Sequence, residues 1–306
     1  FERCYFTQCG TNAIYLGYPD SNTESTYGTF TFKNNNINKC NKGTFILASK
    51  LRSQPIIEGN TFEDITLSNK YMISIAHDQN EVIINNNTFS HITMDGDQNS
   101  ESGGIGILII SSNSEYSIKY TQSKFESITN NHENTLNNHG GVIQYGFTSN
   151  ININIEFNEC YFTGNSVKSG HGGGLAIRTS KAVLIHKCTF DSNIANGQDA
   201  SNGSKGFGGA IYISTSFESN GQQCMSSATI SECTFTNNKA YQGYALYIQG
   251  TTICNPNIII NSNHFSNDQG TTTHPNGGGI ISSEVTTIDK NSIENNNDFT
   301  NSIEGL

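Results

Sequence analysis

The sequence is poor in basic residues and contains no long apolar run. Lys and Arg together number 16 against 26 Asp and Glu, so the formal net charge is -10. Proteins that bind nucleic acid neutralise phosphates with Lys and Arg, so this charge balance argues against a nucleic-acid partner. The longest apolar runs, such as IGILII at Ile105–Ile110, have the length of a strand. A membrane-spanning helix needs about 20 apolar residues, so no membrane insertion is expected.

Other familiar signals are missing as well. The chain starts with neither a signal peptide nor an initiator Met, so we expect a mature product or an excised segment. No stretch has the apolar period of an amphipathic helix. Glycine runs occur without the Lys and helix of a phosphate-binding loop. Asn-rich patches would by themselves suggest disorder, but an internal repeat argues against it.

The repeat is visible in FERCYFTQC at the start of the chain, which returns as FNECYFTGN at Phe157–Asn165. We align the chain on the last aromatic of CYF, the anchor, and call it position zero. The average repeat length is then about 32 residues. The anchors are Phe6, Ile37, Phe62, Phe89, Phe125, Phe162, Phe190, Phe235, Phe265 and Ile293.

Position -5 is apolar or aromatic in every repeat, and positions -4 and -3 are mostly polar. Inward side chains of a strand recur every two residues, so the slip of this rhythm between -5 and -2 indicates a corner. A second slip falls between zero and +3. A third β-rich run, opened by glycines, follows in segments such as GGGLAI and GGAIYI.

Each repeat therefore predicts three short strands, and such a unit buries its apolar edge only against its neighbours. The prediction is an all-β fold, a right-handed parallel β-helix of about ten coils with three short strands per coil. It forms a single domain over residues 1–306, alone or as a segment of a longer or polymerised helix. A β-sandwich is the alternative, but it gives no reason for two slips at fixed offsets.

In a stack of coils, residues at the same position of successive repeats become neighbours in space. The anchors should form a buried aromatic stack. Asn residues at -2 and +3 should form two ladders in which side-chain amides bond to the next coil. The glycines before the third strand should supply positive φ or a close backbone approach.

The eight cysteines sort by column. Cys224 and Cys254 each lie eleven residues before an anchor, in neighbouring repeats, and are the first predicted disulfide. Cys9 and Cys40 share position +3 in neighbouring repeats and are the second candidate pair. The other four, at -2, are predicted to be small core residues, and no spacing fits zinc. Disulfides would place the chain in an oxidising compartment.

Two further patterns suggest surface chemistry. Asn86 and Asn202 open N-glycosylation sequons, NNT and NGS. The segment DGDQNSE offers oxygen atoms at alternate positions, which can surround Ca²⁺. A solvated polar loop is the other interpretation of that segment. The Ca²⁺ candidates are Asp95, Asp97, Asn99 and Glu101.

The motifs FTGN (Phe162–Asn165), FDSN (Phe190–Asn193) and FTNN (Phe235–Asn238) alternate with GGAI, GGGL and GGGI. This alternation of FxxN with GGA[ILV] resembles the repeats of the polymorphic membrane proteins, which are surface β-helix adhesins of the bacterial autotransporter type. Similar repeats occur on protist cell surfaces. The resemblance covers Phe157 to Ile281 best and implies an extracellular adhesive or structural role. The first half departs from the pattern, with Cys or Ile at +3.

An enzyme is the alternative, because many β-helices act on acidic polysaccharides in the manner of a pectate lyase or a polygalacturonase. Such chemistry needs clustered carboxylates. The acids Glu63, Asp64, Glu126 and Asp191 follow anchors but form no matched pair on adjacent coils. GHG at Gly170–Gly172, with Arg178, is similar to part of the polygalacturonase signature, yet the paired Asp motifs are missing. No catalytic residue is assigned.

The segments after position +3 vary most in length and should line one edge, where a glycan or a cell-surface protein would bind. They are Thr93–Ser102, Thr129–His139, Ser166–His171, Ile194–Phe207 and Gln269–Asn276. No capping helix is visible at either end, so coils could also pair head to tail into filaments. The sequence therefore predicts an extracellular structural or adhesive surface protein, with no cofactor other than candidate Ca²⁺.

Overall fold

The chain is all-β wherever its structure is described, and these residues contain no helix. The structure is a computed structural model. It describes residues 1–9, 14–16, 30–41, 46–51, 54–67, 72–77, 81–95, 107–111, 115–131, 142–145, 152–196, 206–218, 222–250, 254, 256–270, 280–283 and 297–300. In these segments no helix is long and apolar enough to cross a membrane.

The strands that lead up to position -5 form one parallel sheet, here called the approach sheet. Each strand pairs with its counterpart one repeat away, so that Tyr120 lies opposite both Ile84 and Phe157. Alternate residues are buried, as the apolar rhythm predicts. Its eight strands are Thr31–Lys33, Ile56–Glu58, Glu81–Asn85, Tyr116–Thr121, Ile153–Asn158, Ala182–His186, Ser227–Ser231 and Asn257–Asn261.

The anchors lie in a second parallel sheet, the anchor sheet. Phe89 lies opposite Phe62 on one side and Phe125 on the other, so equal positions of neighbouring repeats meet. Its 15 strands are Tyr5–Thr7, Asn36–Asn38, Thr61–Leu67, Thr88–Met94, Lys124–Glu126, Thr129–Asn130, Tyr161–Thr163, Ser166–Val167, Thr189–Asp191, Ile194–Ala195, Thr234–Thr236, Lys239–Ala240, His264–Ser266, Gln269–Gly270 and Asp298–Thr300.

The anchor sheet corrects the expectation of three strands per repeat. In the third and fourth repeats one strand runs from -1 to +5, as in Thr61–Leu67. From the fifth repeat to the ninth it is divided in two, as in Tyr161–Thr163 and Ser166–Val167. Position +5 points inward again, and Val167, Ala195 and Ala240 form a small buried cluster there. This second inward position keeps the chain in the sheet after the corner.

The third strands form two separate sheets, both parallel. The first sheet is Ile14–Leu16, Ile46–Leu51, Ile73–His77 and Ile107–Ser111, and the second is Ile143–Tyr145, Leu175–Arg178, Ile211–Ser214, Leu246–Gln249 and Ile281–Ser283. A short antiparallel pair, Ser216–Glu218 with Gln222–Cys224, follows one of them.

Both predicted functions of the glycines before the third strand are confirmed. Gly172 has a φ of 67°, a conformation that costs glycine little. A Cβ atom on Gly173 would lie 2.2 Å from the carbonyl oxygen of Gly209 in the next repeat. Only glycine allows this approach of two backbones.

The two slips of the apolar rhythm are left-handed corners, which confirms the prediction of two bends. Positive φ occurs at -3 and at +2 in each of the first nine repeats, at values between 49° and 66°. The -3 residues are Arg3, Asn34, Gly59, Asn86, Gln122, Glu159, Lys187, Glu232 and Ser262. Those at +2 are Gln8, Lys39, Asp64, His91, Ser127, Gly164, Ser192, Asn237 and Asn267. One left-handed residue reverses the alternation and keeps both flanking strands facing the core.

The predicted aromatic stack is present and corrects one anchor. Ring centroids of successive anchors lie 4.7–5.1 Å apart from Phe62 to Phe299. Phe265 pairs with Phe299, so Ile293 was the wrong choice for the tenth anchor. The aromatic ring of Phe299 continues the stack, which an Ile side chain cannot do. Ile293 itself lies outside the described residues.

Candidate functional sites

The predicted ladder at position -2 is confirmed. The backbone N–H and the Nδ2 of Asn60 both donate to Oδ1 of Asn87, at 3.0 and 2.9 Å. Nδ2 of Asn60 also donates to the carbonyl oxygen of Phe32 in the preceding repeat, at 2.8 Å. Asn35, Asn60 and Asn87 are buried and fully bonded in this way. The ladder is thus a structural element that satisfies buried polar groups, and it offers no ligand site.

Cysteine sulfurs take the amide's place in the same ladder. The N–H of Cys160 lies 3.4 Å from Sγ of Cys188, and the N–H of Cys188 lies 3.4 Å from Sγ of Cys233. All three thiols are buried, which confirms the prediction of small core residues, and burial raises the pKa of Cys188. The fourth, Cys4, is half-buried, and its N–H donates to Oδ1 of Asn35 at 2.9 Å.

The ladder at position +3 is present from the fifth repeat to the ninth. Asn193 accepts from Nδ2 of Asn165 at 2.9 Å, and its own Nδ2 donates to the carbonyl oxygen of Phe162 at 2.9 Å. In the ninth repeat the position is Asp268, whose Oδ1 accepts from both the N–H and the Nδ2 of Asn238, at 2.7 and 2.9 Å. Its other oxygen, Oδ2, is buried and has no hydrogen-bond partner among the described residues.

The two predicted cysteine pairs differ. Cys224 and Cys254 form a disulfide between neighbouring repeats, with Cα atoms 5.3 Å apart. Cys9 and Cys40 lie next to each other but are free thiols. The backbone N–H of Cys9 points at Sγ of Cys40, at 3.3 Å, so the sulfur serves as a ladder acceptor there. Burial raises the pKa of Cys40 to about 12.

The glycosylation and calcium candidates are placed only in part. Asn86 is exposed at a left-handed corner, with a φ of 50°. Asp95 is exposed, and its Oδ1 accepts from Nδ2 of Asn131 at 2.7 Å. Asn202, Asp97, Asn99 and Glu101 lie outside the described residues.

The GHG segment is part of an aromatic cluster outside the main core. The ring of His171 stacks between Phe207 and Tyr212, with centroids 4.8 and 4.7 Å away. Its Nδ1 accepts the backbone N–H of Phe207 at 3.2 Å. Burial lowers the pKa of His171 to about 4, so the ring is neutral and already bonded. This arrangement favours a packing role for His171 over a role as catalytic base.

The structure places a histidine beside two acidic residues for which the sequence indicated no partner on a neighbouring repeat. Glu63 and Asp64 follow the third anchor, and His91 of the fourth repeat lies beside them. One potential ligand atom from each residue lies within 4.8 Å of the other two. The column signal was in the sequence: Asp64 and His91 both stand at +2, so stacking brings them together.

The segments of variable length begin in one sheet. Their first residues form neighbouring strands of the anchor sheet, as in Thr129–Asn130, Ser166–Val167 and Ile194–Ala195. Residues 96–102, 132–139, 197–205 and 271–276 lie outside the described residues.

Comparison with protein-family models, with curated proteins and with solved structures gives no match for this chain.

Proposed function

We propose that the chain winds as a right-handed parallel β-helix and serves as an extracellular structural or adhesive surface protein. The observation that carries the proposal is the unbroken pairing of equal positions, from Tyr5 opposite Asn36 to Phe265 opposite Phe299. Such pairing spaces repeats by about 4.8 Å, so ten repeats make a rod about 48 Å long. A rod held by internal ladders is suited to bearing load and presenting a surface.

Two observations support an oxidising, extracellular environment. The disulfide Cys224–Cys254 joins two neighbouring repeats, and disulfides persist mainly in secreted proteins. The sequon residue Asn86 is exposed at a corner, so its side chain is accessible to a glycosylating enzyme. The free thiols Cys160, Cys188 and Cys233 are buried, so they are compatible with such a compartment.

The variable segments support the adhesive function. They follow strands that lie side by side in the anchor sheet, so partners that bind several of them would contact one continuous edge. A glycan or a cell-surface protein is the class of partner that we propose.

Binding of the fluorescently labelled full chain to a glycan array and to intact cells tests this function. A variant in which residues 197–205 are replaced by a short Gly-Ser linker should lose at least tenfold in binding. The matched control replaces residues 219–221, which connect the antiparallel pair on another side of the repeat. Absence of binding by the parent chain, or equal loss in the control, would contradict the adhesive function.

We also propose self-association through the edges of the anchor sheet. Among the described residues, Tyr5–Thr7 and Asp298–Thr300 are edge strands of this sheet, and edge strands pair readily with other chains. Sedimentation and electron microscopy at rising protein concentration should reveal end-to-end assemblies, and Thr300→Lys should shorten them. Particles of one length at every concentration would argue against assembly.

A further inference from the structure

The outward corners at position +2 of the third and fourth repeats lie side by side. Phe62 lies opposite Phe89, and Ile65 lies opposite Ile92, so the corners between them also meet. Asp64 and His91 occupy the same place in these corners, with φ values of 53° and 51°. Both side chains are exposed, because a left-handed residue at +2 turns its side chain away from the core.

The ring nitrogen of His91 lies between two carboxylates without bonding to either. Nδ1 is 3.9 Å from Oε1 of Glu63 and 3.8 Å from Oδ1 of Asp64. Both distances exceed those of a hydrogen bond. Ligands that bind one ion at about 2.0–2.2 Å lie about 3 to 4.4 Å from one another, depending on the angle at the ion. Nδ1 of His91 therefore lies at a suitable separation from each carboxylate oxygen, and the three atoms all lie within 4.8 Å of one another.

The orientation of Glu63 has its own support. Nδ2 of Asn38, from the second repeat, lies 3.4 Å from Oε2 of Glu63. Because Oε2 is bound on this side, Oε1 is the oxygen that faces His91. Partners of this kind behind a ligand fix its direction and are typical of metal sites. Three successive repeats thus contribute to one site, two with ligands and one with a supporting amide.

We infer that Glu63, Asp64 and His91 form a surface site for a divalent first-row transition ion, with Zn²⁺ as the best-suited probe. One imidazole nitrogen and two carboxylate oxygens are a ligand set that Zn²⁺ and its neighbours accept. Three protein ligands leave a coordination position for water or for a group from a partner. The competing interpretation is a set of exposed ion pairs between His91 and the two carboxylates, a kind of contact that contributes little to stability.

A positive charge at the same repeat position should weaken cation binding at this site. Lys39 stands at +2 in the second repeat, one position along the stack from Asp64. Its ammonium group lowers the local attraction for a cation. Removal of this charge by Lys39→Gln should therefore strengthen metal binding about two- to fivefold, which surface ion pairs alone would not predict.

Isothermal titration calorimetry of the full chain with ZnCl₂, after treatment with EDTA and its removal, tests the site. We expect one ion per chain, a loss of at least tenfold in affinity for His91→Ala, and a similar loss for Asp64→Asn. The matched control is His264→Ala, which removes a histidine paired with a single carboxylate, Asp298, at 2.9 Å.

Thermal unfolding gives a second readout that does not depend on heat of binding. Zn²⁺ should raise the midpoint of the parent chain and of His264→Ala, and should raise that of His91→Ala much less. The site is refuted if the parent chain binds no Zn²⁺. It is equally refuted if His91→Ala binds as tightly as the parent, since the ion would then lie elsewhere, for example on a thiol.

Discussion

Asp268 is the one acidic member of the +3 ladder. In Asn238 the second side-chain atom, Nδ2, donates to the carbonyl oxygen of Phe190 at 2.9 Å. A carboxylate at Asp268 has no such donor, and its Oδ2 is buried without a hydrogen-bond partner among the described residues. A protonated carboxyl group restores the donor. Burial accordingly raises the pKa of Asp268 to about 7, while the hydrogen bonds from Asn238 oppose the shift.

The first prediction is a loss of stability as the pH rises. Unfolded Asp titrates near pH 4, so the folded state binds the extra proton between about pH 4 and 7 and is stabilised below this range. Ionisation at pH 8 should cost on the order of 2–4 kcal/mol. Asp268→Asn should remove this dependence and be the more stable protein at pH 8. Urea unfolding of both proteins from pH 4 to 8 measures how their free energies of unfolding depend on pH. The prediction is contradicted if the two proteins show the same pH dependence.

The second prediction concerns the middle of the same ladder. Asn193→Ala leaves the Nδ2 of Asn165 and the carbonyl oxygen of Phe162 buried without their partner. Each unsatisfied buried group costs about 1–3 kcal/mol. The free energy of unfolding should therefore fall by at least about 2 kcal/mol. Asn36→Ala is the control, because Asn36 is half-buried at the outward position -1. Equal effects in denaturant unfolding would show that the ladder contributes little.

Individual ladder positions could be predicted because identical spacing forces like residues together. The role of the cysteine sulfurs could not be predicted. The alignment of Cys40 with Cys9 suggested a disulfide, whereas Sγ of Cys40 accepts a hydrogen bond from the N–H of Cys9. A spacing pattern gives proximity but not the direction of a side chain. The same limit applies to Glu63: the shared +2 position aligned Asp64 with His91, but spacing did not show that the side chain of Glu63 also turns toward His91.

The third prediction concerns the left-handed corners, where adding and removing a glycine should have opposite effects on stability. Gly164→Ala keeps enough space, since the nearest atom to its Cβ would be 3.8 Å away, but a φ of 64° strains alanine. It should cost about 1 kcal/mol. Glu159→Gly, at the -3 corner with a φ of 54°, should cost much less than a glycine usually costs in a strand, or stabilise.

Thermal unfolding of the two variants checks the sign of each effect. Ser166→Gly serves as the control, because Ser166 lies in a strand and not at a corner. If glycine at position 159 destabilised as much as glycine at position 166, the corner would not be a strained position.

The strands themselves were predictable to different degrees. Approach and third strands follow from alternating or continuous apolar residues, which a strand requires on a buried face. The division of the anchor strand, as in Thr189–Asp191 and Ile194–Ala195, was missed. Small inward residues such as Ala195 give little periodic signal, so the sequence showed a loop where a two-residue strand lies.

For the molecule as a whole, nine anchors were placed correctly and the tenth was not. The sequence offers two candidates for the tenth anchor, Ile293 in IENN and Phe299 in DFTNS. Nδ2 of Asn263 donates to Oδ1 of Asn297 at 3.0 Å, which fixes Phe299 as the anchor two positions later. Neither the stack nor the ladder can be evaluated from one repeat, so the choice depends on contacts between repeats.

The fourth prediction is that loss of the disulfide acts locally. The double variant Cys224→Ser/Cys254→Ser opens a loop whose ends are 30 residues apart, which should cost about 3–4 kcal/mol. Each repeat contacts only its neighbours, so the effect should remain near the eighth and ninth repeats.

Hydrogen exchange should therefore show lost protection in Ser227–Ser231 and Asn257–Asn261, and unchanged protection in Glu81–Asn85. The parent chain with reductant should match the double variant without it. A uniform loss of protection along the chain would contradict local action.

The left-handed corner at +2 has an evolutionary consequence. Its residue types range over Gln, Lys, Asp, His, Ser, Gly and Asn, while the backbone stays the same. The interior is therefore insulated from mutation at these sites. During evolution, different functional groups could be substituted at these regularly spaced positions. Single codon changes could then add or remove a binding group while the fold stays the same.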